Sequence, residues 1–196
     1  GESLARRIVA EHLPGDQHEI AIRMPMVASR FPAQEVYTRA ATELARHLEA
    51  GRDVAVLCEG DPFFFGSFSF LFARMAEDFP VEVVPGVSSL TACAAALGTP
   101  LATRNDVLSV IPATLDDATL RSRIESVDSV AIIKVGRHLA RIRDLLGDLG
   151  LVDRAHYIQH ATMATERIEP LQDVDAAVSP YFSMILLHKR GRASEL

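Results

Sequence analysis

The stretch Asp53-Val54-Ala55-Val56-Leu57-Cys58-Glu59-Gly60-Asp61-Pro62-Phe63-Phe64-Phe65-Gly66 and, one helix-length segment later, Val81-Glu82-Val83-Val84-Pro85-Gly86-Val87-Ser88-Ser89 decides how the rest of the chain reads. Each half is a short Val-rich run that stops at a turn built from Gly, Pro, Asp or Ser. Runs of this length bounded by breakers predict buried strands. Two such strands around a helix make a βαβ unit. Both turns then fall at the carboxyl ends of neighbouring parallel strands, where open α/β sheets bind their ligands.

On the amino-terminal side, residues 1–13 read as a helix with Leu4 and Ile8 on its apolar face, stopped by Pro14-Gly15-Asp16. His18 to Met24 alternates and predicts a strand; 26–33 read as irregular. Val36, Ala40, Leu44 and Leu48 set a helical period over 34–50. Residues 68–78 predict a helix with Phe68, Leu71, Phe72 and Met75 inward. Ser88 or Ser89 then caps a small-residue helix that runs to Leu97. The polar segment Leu101 to Asp106 is the expected domain boundary, dividing 1–105 from 106–196.

A second α/β series follows. Strands are predicted at 107–111, 130–135 and 155–159, with helices at 115–126 and 139–149 between them. Residues 163–178 are mixed. A last strand over 181–188 reads as an edge or antiparallel one, and the charged tail from Lys189 reads as fraying. The fold class is therefore α/β, in two α/β domains.

Composition narrows the function. The 196 residues suffice for one large domain or two small ones, and 48% are hydrophobic, enough for a substantial core. A net charge of −6 argues against nucleic acid as the main partner. No apolar run approaches the ~18 residues of a membrane span. The two cysteines, Cys58 and Cys93, lack metal-ligand spacing and sit in apolar surroundings, so both are expected to be buried, reduced thiols of a cytoplasmic protein. No metal site is assigned.

The turns carry the chemistry. In Glu59-Gly60-Asp61-Pro62, Gly admits a ligand close to the main chain and Pro sets the bend. The turn offers carbonyls and a carboxylate, not a ring of amides, and neither phosphate-loop pattern occurs anywhere. An isolated Gly-Asp-Pro is also what an ordinary tight turn looks like. Pro85-Gly86-Val87-Ser88-Ser89 is similar. Ile132-Ile133-Lys134-Val135-Gly136 and the small residues at His160-Ala161-Thr162 add two more strand ends of this kind. Four across two halves point to a ligand between the halves.

These residues also carry a resemblance. Cys58 to Ser67, Val84 to Ala92, and Arg104-Asn105-Asp106-Val107-Leu108 followed by Ile111-Pro112-Ala113-Thr114 resemble the tetrapyrrole methylase family. Within it the likeness is greatest to the precorrin-2 C-20 methyltransferases of cobalamin biosynthesis. It spans about Ala21 to Lys189. It implies two α/β domains with S-adenosylmethionine (SAM) in the cleft between them. By motif, Glu59, Gly60 and Asp61 would hold SAM, with Phe64 beside them. Ser88 and Ser89 would line the cleft, Val135 would pack near the adenine, and Ala161 and Tyr181 would stand on the next strand ends. Family members begin with a strand and a Gly-x-Gly-Pro-Gly-Asp-Pro loop. The sequence starts at what looks like the following helix, so that strand and loop are expected to be missing from it.

The resemblance implies methyl transfer from the sulfonium of SAM to carbon 20 of precorrin-2, giving precorrin-3A. The substrate's conjugated pyrrole system supplies electron density, so the protein's task is to position two reactants and exclude water. No catalytic residue is assigned; Glu59 and Asp106 are candidates for a base on position alone. Arg104 and Arg137 are the candidates for the substrate's carboxylates. Isolated histidines such as His138 and His160 are not assigned a role. The alternatives are the cobalt-containing substrate, cobalt-factor II, and a non-catalytic SAM- or tetrapyrrole-binding module. The expected partners are a tetrapyrrole and a second copy of the chain as a homodimer, with no nucleic acid and no membrane.

Overall fold

The computed structural model describes residues 3–23, 30–175 and 179–191. They fall into two compact units, Gly1–Ser88 and Ser89–Leu196. The expectations for Met24, for positions 26–29 and for the tail beyond 191 lie outside the described residues.

In the first unit, α1 (Leu4–Ile8) is capped by Ser3, whose side chain accepts from the Arg6 amide. A short 3-10 turn, Ala10–His12, follows. The expected apolar face is shifted: Ala5 is buried, and Ile8 is 64% exposed. Helix α2 (Arg30–Glu49) starts earlier than the apolar period predicts, so positions 30–33 are helical. Helix α3 (Phe68–Met75) packs on it. Ala40 and Leu44 meet Leu71 and Met75 there, as the 3.6-residue spacing requires. Ile20, Ile22 and Val54 pack against the same cluster.

No strand forms among the described residues of this unit, which corrects the expected strands at 18–24, 53–58 and 81–84. The side chains follow the period, because Ile20, Ile22 and Val54 do point to the core. The backbone does not pair. Val56, Leu57, Val81 and Val84 are exposed, Val84 at 72%. A ladder needs a neighbour at hydrogen-bonding distance along its whole length. Apolar alternation reports burial and not the presence of that neighbour.

The second unit opens with α4 (Ser89–Leu97), which packs on the last strand of the sheet. The compact units therefore divide ahead of this helix. Then come β1 (Leu108–Pro112), α5 (Asp117–Glu125), β2 (Ser129–Ile133), α6 (Leu139–Asp148), β3 (Ala155–Gln159), β4 (Arg167–Pro170) and β5 (Ser183–His188). The sheet order is β1-β2-β5-β3-β4, with β1 parallel to β2 and the other pairs antiparallel. The strand read as an edge or antiparallel one is antiparallel and lies in the middle, with all six residues buried. Its unbroken apolar run, Met184 to Leu187, is what a strand covered on both faces needs. Val130, Ile132, Ile185, Leu187, Ala155 and Tyr157 turn one face of the sheet towards Leu120 and Ile124 of α5 and Ile142 and Leu146 of α6. Ala131, Ile133, Met184 and Leu186 are buried on the other face. Asp116 caps α5, its two oxygens accepting from the Thr119 amide at 2.9 Å and the Thr119 hydroxyl at 2.7 Å.

Asp106 ties the start of this sheet to its end. Its Oδ2 accepts from the Thr103 amide (2.8 Å) and hydroxyl (2.9 Å) and lies 3.1 Å from Nε2 of His188. Its Oδ1 accepts from Arg190. The carboxylate is 6% exposed. The Thr103 amide, then His188 and Arg190, hold its pKa down to about 2. A depressed carboxylate stabilises the fold above its unfolded pKa, and that gain disappears as pH falls through the folded value. Asp106→Asn should therefore be less stable than wild type at neutral pH, with the gap constant above about pH 4 and closing towards pH 2. Urea denaturation across pH 2–7 reads this; a gap that did not narrow would contradict it.

Candidate functional site

The two turns of the opening stretch do meet. Gly60 sits at φ +68°, a left-handed conformation that glycine adopts without strain. A β-carbon added at Gly86 would stand 2.2 Å from the Gly60 carbonyl oxygen, so only glycine permits this approach. Asp61 closes the pair: Oδ1 accepts from the Phe63 amide at 2.9 Å and Oδ2 from the Gly86 amide at 3.1 Å. The Gly86 amide, then Phe63, lowers the Asp61 pKa. Both oxygens of Asp61 thus build the turn pair. The contact the spacing predicted between neighbouring strand ends is made, but by loops and not by a strand ladder.

Glu59 is also engaged. Its Oε1 accepts from the Ala5 amide, 3.2 Å away, in the first turn of α1. A carboxylate at a helix amino terminus complements the free amides and the helix dipole. Phe64 is half-buried with its ring 5.1 Å from that of Phe65, which is itself held at φ +54°. Ser88 is half-buried; Ser89 is the exposed first residue of α4. Around the turns, Val84 and Val87 are exposed at 72% and 74%.

In the second unit the sheet collects the other candidates at one end. Because β5 runs against β2 and β3, its first residues lie beside their last ones: Ile133 pairs with Met184, and Gln159 with Ser183. Val135, fully buried, and Gly136 follow β2; Ala161, half-buried, follows β3; Tyr181, 59% exposed, precedes β5. The His160 amide donates to the Phe182 carbonyl at 3.2 Å, joining two of these turns. Lys134, His160 and Thr162 all have positive φ, at 58°, 48° and 66°. Left-handed residues other than glycine cost energy and gather where a site needs a particular turn. Nδ1 of His160 lies 3.0 Å from the Thr165 hydroxyl. Arg137 follows Gly136 with its side chain exposed, and His138, whose pKa is lowered by burial and then by Arg141 and Arg137, comes next.

Arg104 and Asp106 are not brought to this end. They precede β1 and so lie at the opposite end of the sheet, about 17 Å away over a five-residue strand. Asp106, with its oxygens taken and its pKa held low, is poorly suited to accept a proton. Of the two cysteines, Cys93 is buried and its thiol is pushed up to about 11 by burial and by Glu166. Cys58 is only half-buried, contrary to expectation, because the run that holds it does not enter a sheet. Among the described residues, no group of three or more His, Cys, Asp or Glu is placed to hold a metal ion.

Residues 1–175 match the profile of Tetrapyrrole (Corrin/Porphyrin) Methylases. The chain belongs to that family. It is 42% identical, over 93% of its own length and 78% of the relative's, to a precorrin-2 C(20)-methyltransferase of Sinorhizobium sp. It is 35% identical, over its whole length and 83% of the relative's, to a cobalt-precorrin-2 C(20)-methyltransferase of Salmonella typhimurium. It is 37% identical over 95% of its length to the CobIJ proteins of Mycobacterium, of which it spans only 38%. Among solved structures, it is similar to the uroporphyrin-III C-methyl transferase of Thermus thermophilus bound to S-adenyl homocysteine, with 27% identity and a TM-score of 0.57 over 76% of this chain and 72% of that one. The methyltransferase CobJ shares the fold, with a TM-score of 0.66 at 20% identity over 94% of this chain and 80% of that one.

What the sequence did not reveal is how the pieces are pinned. The donor to Oδ2 of Asp61 is 25 positions away, and the partner of the Gly136 amide, Ser183, is 47 positions away. The one signal for Ser183 is a hydroxyl residue opening an otherwise apolar run.

Proposed function

We propose that this tetrapyrrole methylase is a SAM-dependent C-methyltransferase that methylates carbon 20 of precorrin-2 in cobalamin biosynthesis, forming precorrin-3A and S-adenosylhomocysteine. The observation that carries the reading is the 42% identity with the Sinorhizobium precorrin-2 C(20)-methyltransferase across 93% of the chain. SAM supplies a methyl group already activated on a positively charged sulfur. The chain's own residues have to hold and orient the reactants and keep water out.

They fit that task. Gly60 and Gly86 bring the two turns together main chain against main chain, with the exposed Val84 and Val87 beside them. Such a surface suits a nucleoside-like ligand that is largely apolar with a few polar atoms. In the reading proposed, Glu59, Gly60, Asp61, Phe64 and Ser88 of the first unit and Ser89, Val135, Ala161 and Tyr181 of the second serve SAM. Asp61 and Glu59 act through the turns they hold. Arg137, exposed beside Gly136, serves a substrate carboxylate. Division of the chain into an amino-terminal domain up to about 105 and a carboxyl-terminal one, a homodimeric state and a cytoplasmic location complete the reading. No helix among the described residues is long and apolar enough to cross a membrane.

The test is incubation of the chain with methyl-labelled SAM and either precorrin-2 or cobalt-factor II. Label is expected in precorrin-3A. Transfer to the cobalt-containing substrate alone would assign the second reading, which the 35% identity with the Salmonella protein over the whole chain favours. SAM binding without transfer to either would leave a binding module.

A further inference from the structure

At the carboxyl ends of β2 and β3 the second unit contains a group of hydroxyls that no step above has used. Ser183, 7% exposed, is the first residue of β5. Its Oγ donates to the Pro180 carbonyl at 2.7 Å. A serine hydroxyl has one proton, so its other two neighbours must donate to it. They are the Gly136 amide at 3.4 Å and the Ser179 hydroxyl at 3.2 Å. The Ser179 oxygen lies 3.1 Å from the hydroxyl of Tyr157, which is fully buried in β3 and donates to Oε1 of Gln159 at 3.0 Å. The Ser183 amide donates to the Tyr181 carbonyl at 2.9 Å, which bends the chain just ahead of the strand.

We propose that Ser183 is a positioning residue of the cofactor site. One hydroxyl oxygen clamps the Val135–Gly136 turn after β2 to the Pro180–Phe182 bend before β5. The clamp sets where Tyr181 and Phe182 stand. These rings are mutually perpendicular, 5.4 Å apart and 59% and 53% exposed. Side by side and exposed, the two rings leave an apolar surface at this bend that a ligand can use. The turn at Gly136 lies beside this bend: a β-carbon there would stand in ordinary contact with the Tyr181 Cα at 3.9 Å and the Pro180 oxygen at 4.0 Å. Without the Ser183 hydroxyl, a half-buried amide and a carbonyl lose their partner and the two segments are free to separate.

This inference rests on the reading of the strand ends as a SAM site, and its test separates the two. S-adenosylhomocysteine binding is measured by calorimetry for the intact wild-type chain, Ser183→Ala and Ser183→Thr, alongside thermal unfolding and steady-state methyl transfer. Ser183→Ala is expected to weaken S-adenosylhomocysteine binding about tenfold, the size of one lost buried hydrogen bond. KM for SAM should rise with it, KM for the tetrapyrrole should not, and Ser183→Thr, which keeps the hydroxyl, should recover most of the affinity. Wild-type affinity in Ser183→Ala overturns the inference alone. So does a loss that Ser183→Thr shares in full, or equal rises in both KM values. Failure of the wild-type chain to bind S-adenosylhomocysteine overturns the SAM reading and the inference with it.

Discussion

Gly86→Ala is expected to abolish methyl transfer while leaving the sheet of the second unit folded. The added methyl would stand 2.2 Å from the Gly60 oxygen and 3.0 Å from the Gly60 carbonyl carbon. Both are main-chain atoms, so no flexible side chain can yield; the turns must move apart. Moving them breaks the bond from the Gly86 amide to Asp61. Displacement of a positioning element by about 1 Å can cost on the order of 10²-fold in rate, and the loss here is expected to reach at least that. Calorimetry with S-adenosylhomocysteine should show affinity falling in parallel, because the turns are the first unit's share of the proposed cofactor site. Asp61→Asn serves as the graded control: its amide oxygen can still accept from one of the two main-chain amides, so it should fall between wild type and Gly86→Ala. A Gly86→Ala chain with wild-type turnover would remove the turn pair from the site.

The largest effect on stability is expected at Ile132. It is fully buried in β2, paired with Ile111 of β1 and Ile185 of β5, and packed in the cluster formed with α5 and α6. Ile132→Ala removes three carbons from a space that strands on both sides keep from collapsing. Such changes cost about 2–5 kcal/mol. Against a total stability of roughly 5–15 kcal/mol, that is a large share. Val84→Ala should lie within about 0.5 kcal/mol of wild type, since Val84 is 72% exposed. Chemical denaturation of both variants reads the contrast. Similar losses at the two positions would mean that 81–84 is buried as deeply as β2.

That contrast also marks how far local pattern reaches. Asp53–Cys58, Val81–Val84 and Val130–Val135 look alike as sequence: short, Val-rich and closed by a breaker. Only the third becomes a strand in a sheet. Helices were more legible, because their hydrogen bonds join residues four apart. The spacing of Ala40 and Leu44 and of Leu71 and Met75 already names their buried faces. A strand's partners are elsewhere in the chain, so its run of apolar residues says that it will be covered and not by what.

The candidate site divides along the same line. From residues alone come the Glu59-Gly60-Asp61-Pro62 and Pro85-Gly86 turns, the small residues at the later strand ends, and the likeness to a methylase family that residues 1–175 match. Turn chemistry is local, and a glycine or proline states its backbone requirement wherever it stands. Tertiary structure alone decided what the polar groups are for. It assigned both oxygens of Asp61 to holding the turns together and gave Glu59 to the start of α1. It gave Asp106 to Thr103, His188 and Arg190, and sent Arg104 with it to the far end of the sheet from Val135, Ala161 and Tyr181. It also placed β5 in the centre, which is what brings Ser183 beside Gly136. The reason is physical: a carboxylate or hydroxyl can serve a ligand or the fold, and which it serves depends on donors tens of residues away that only the folded chain brings within 3 Å or so.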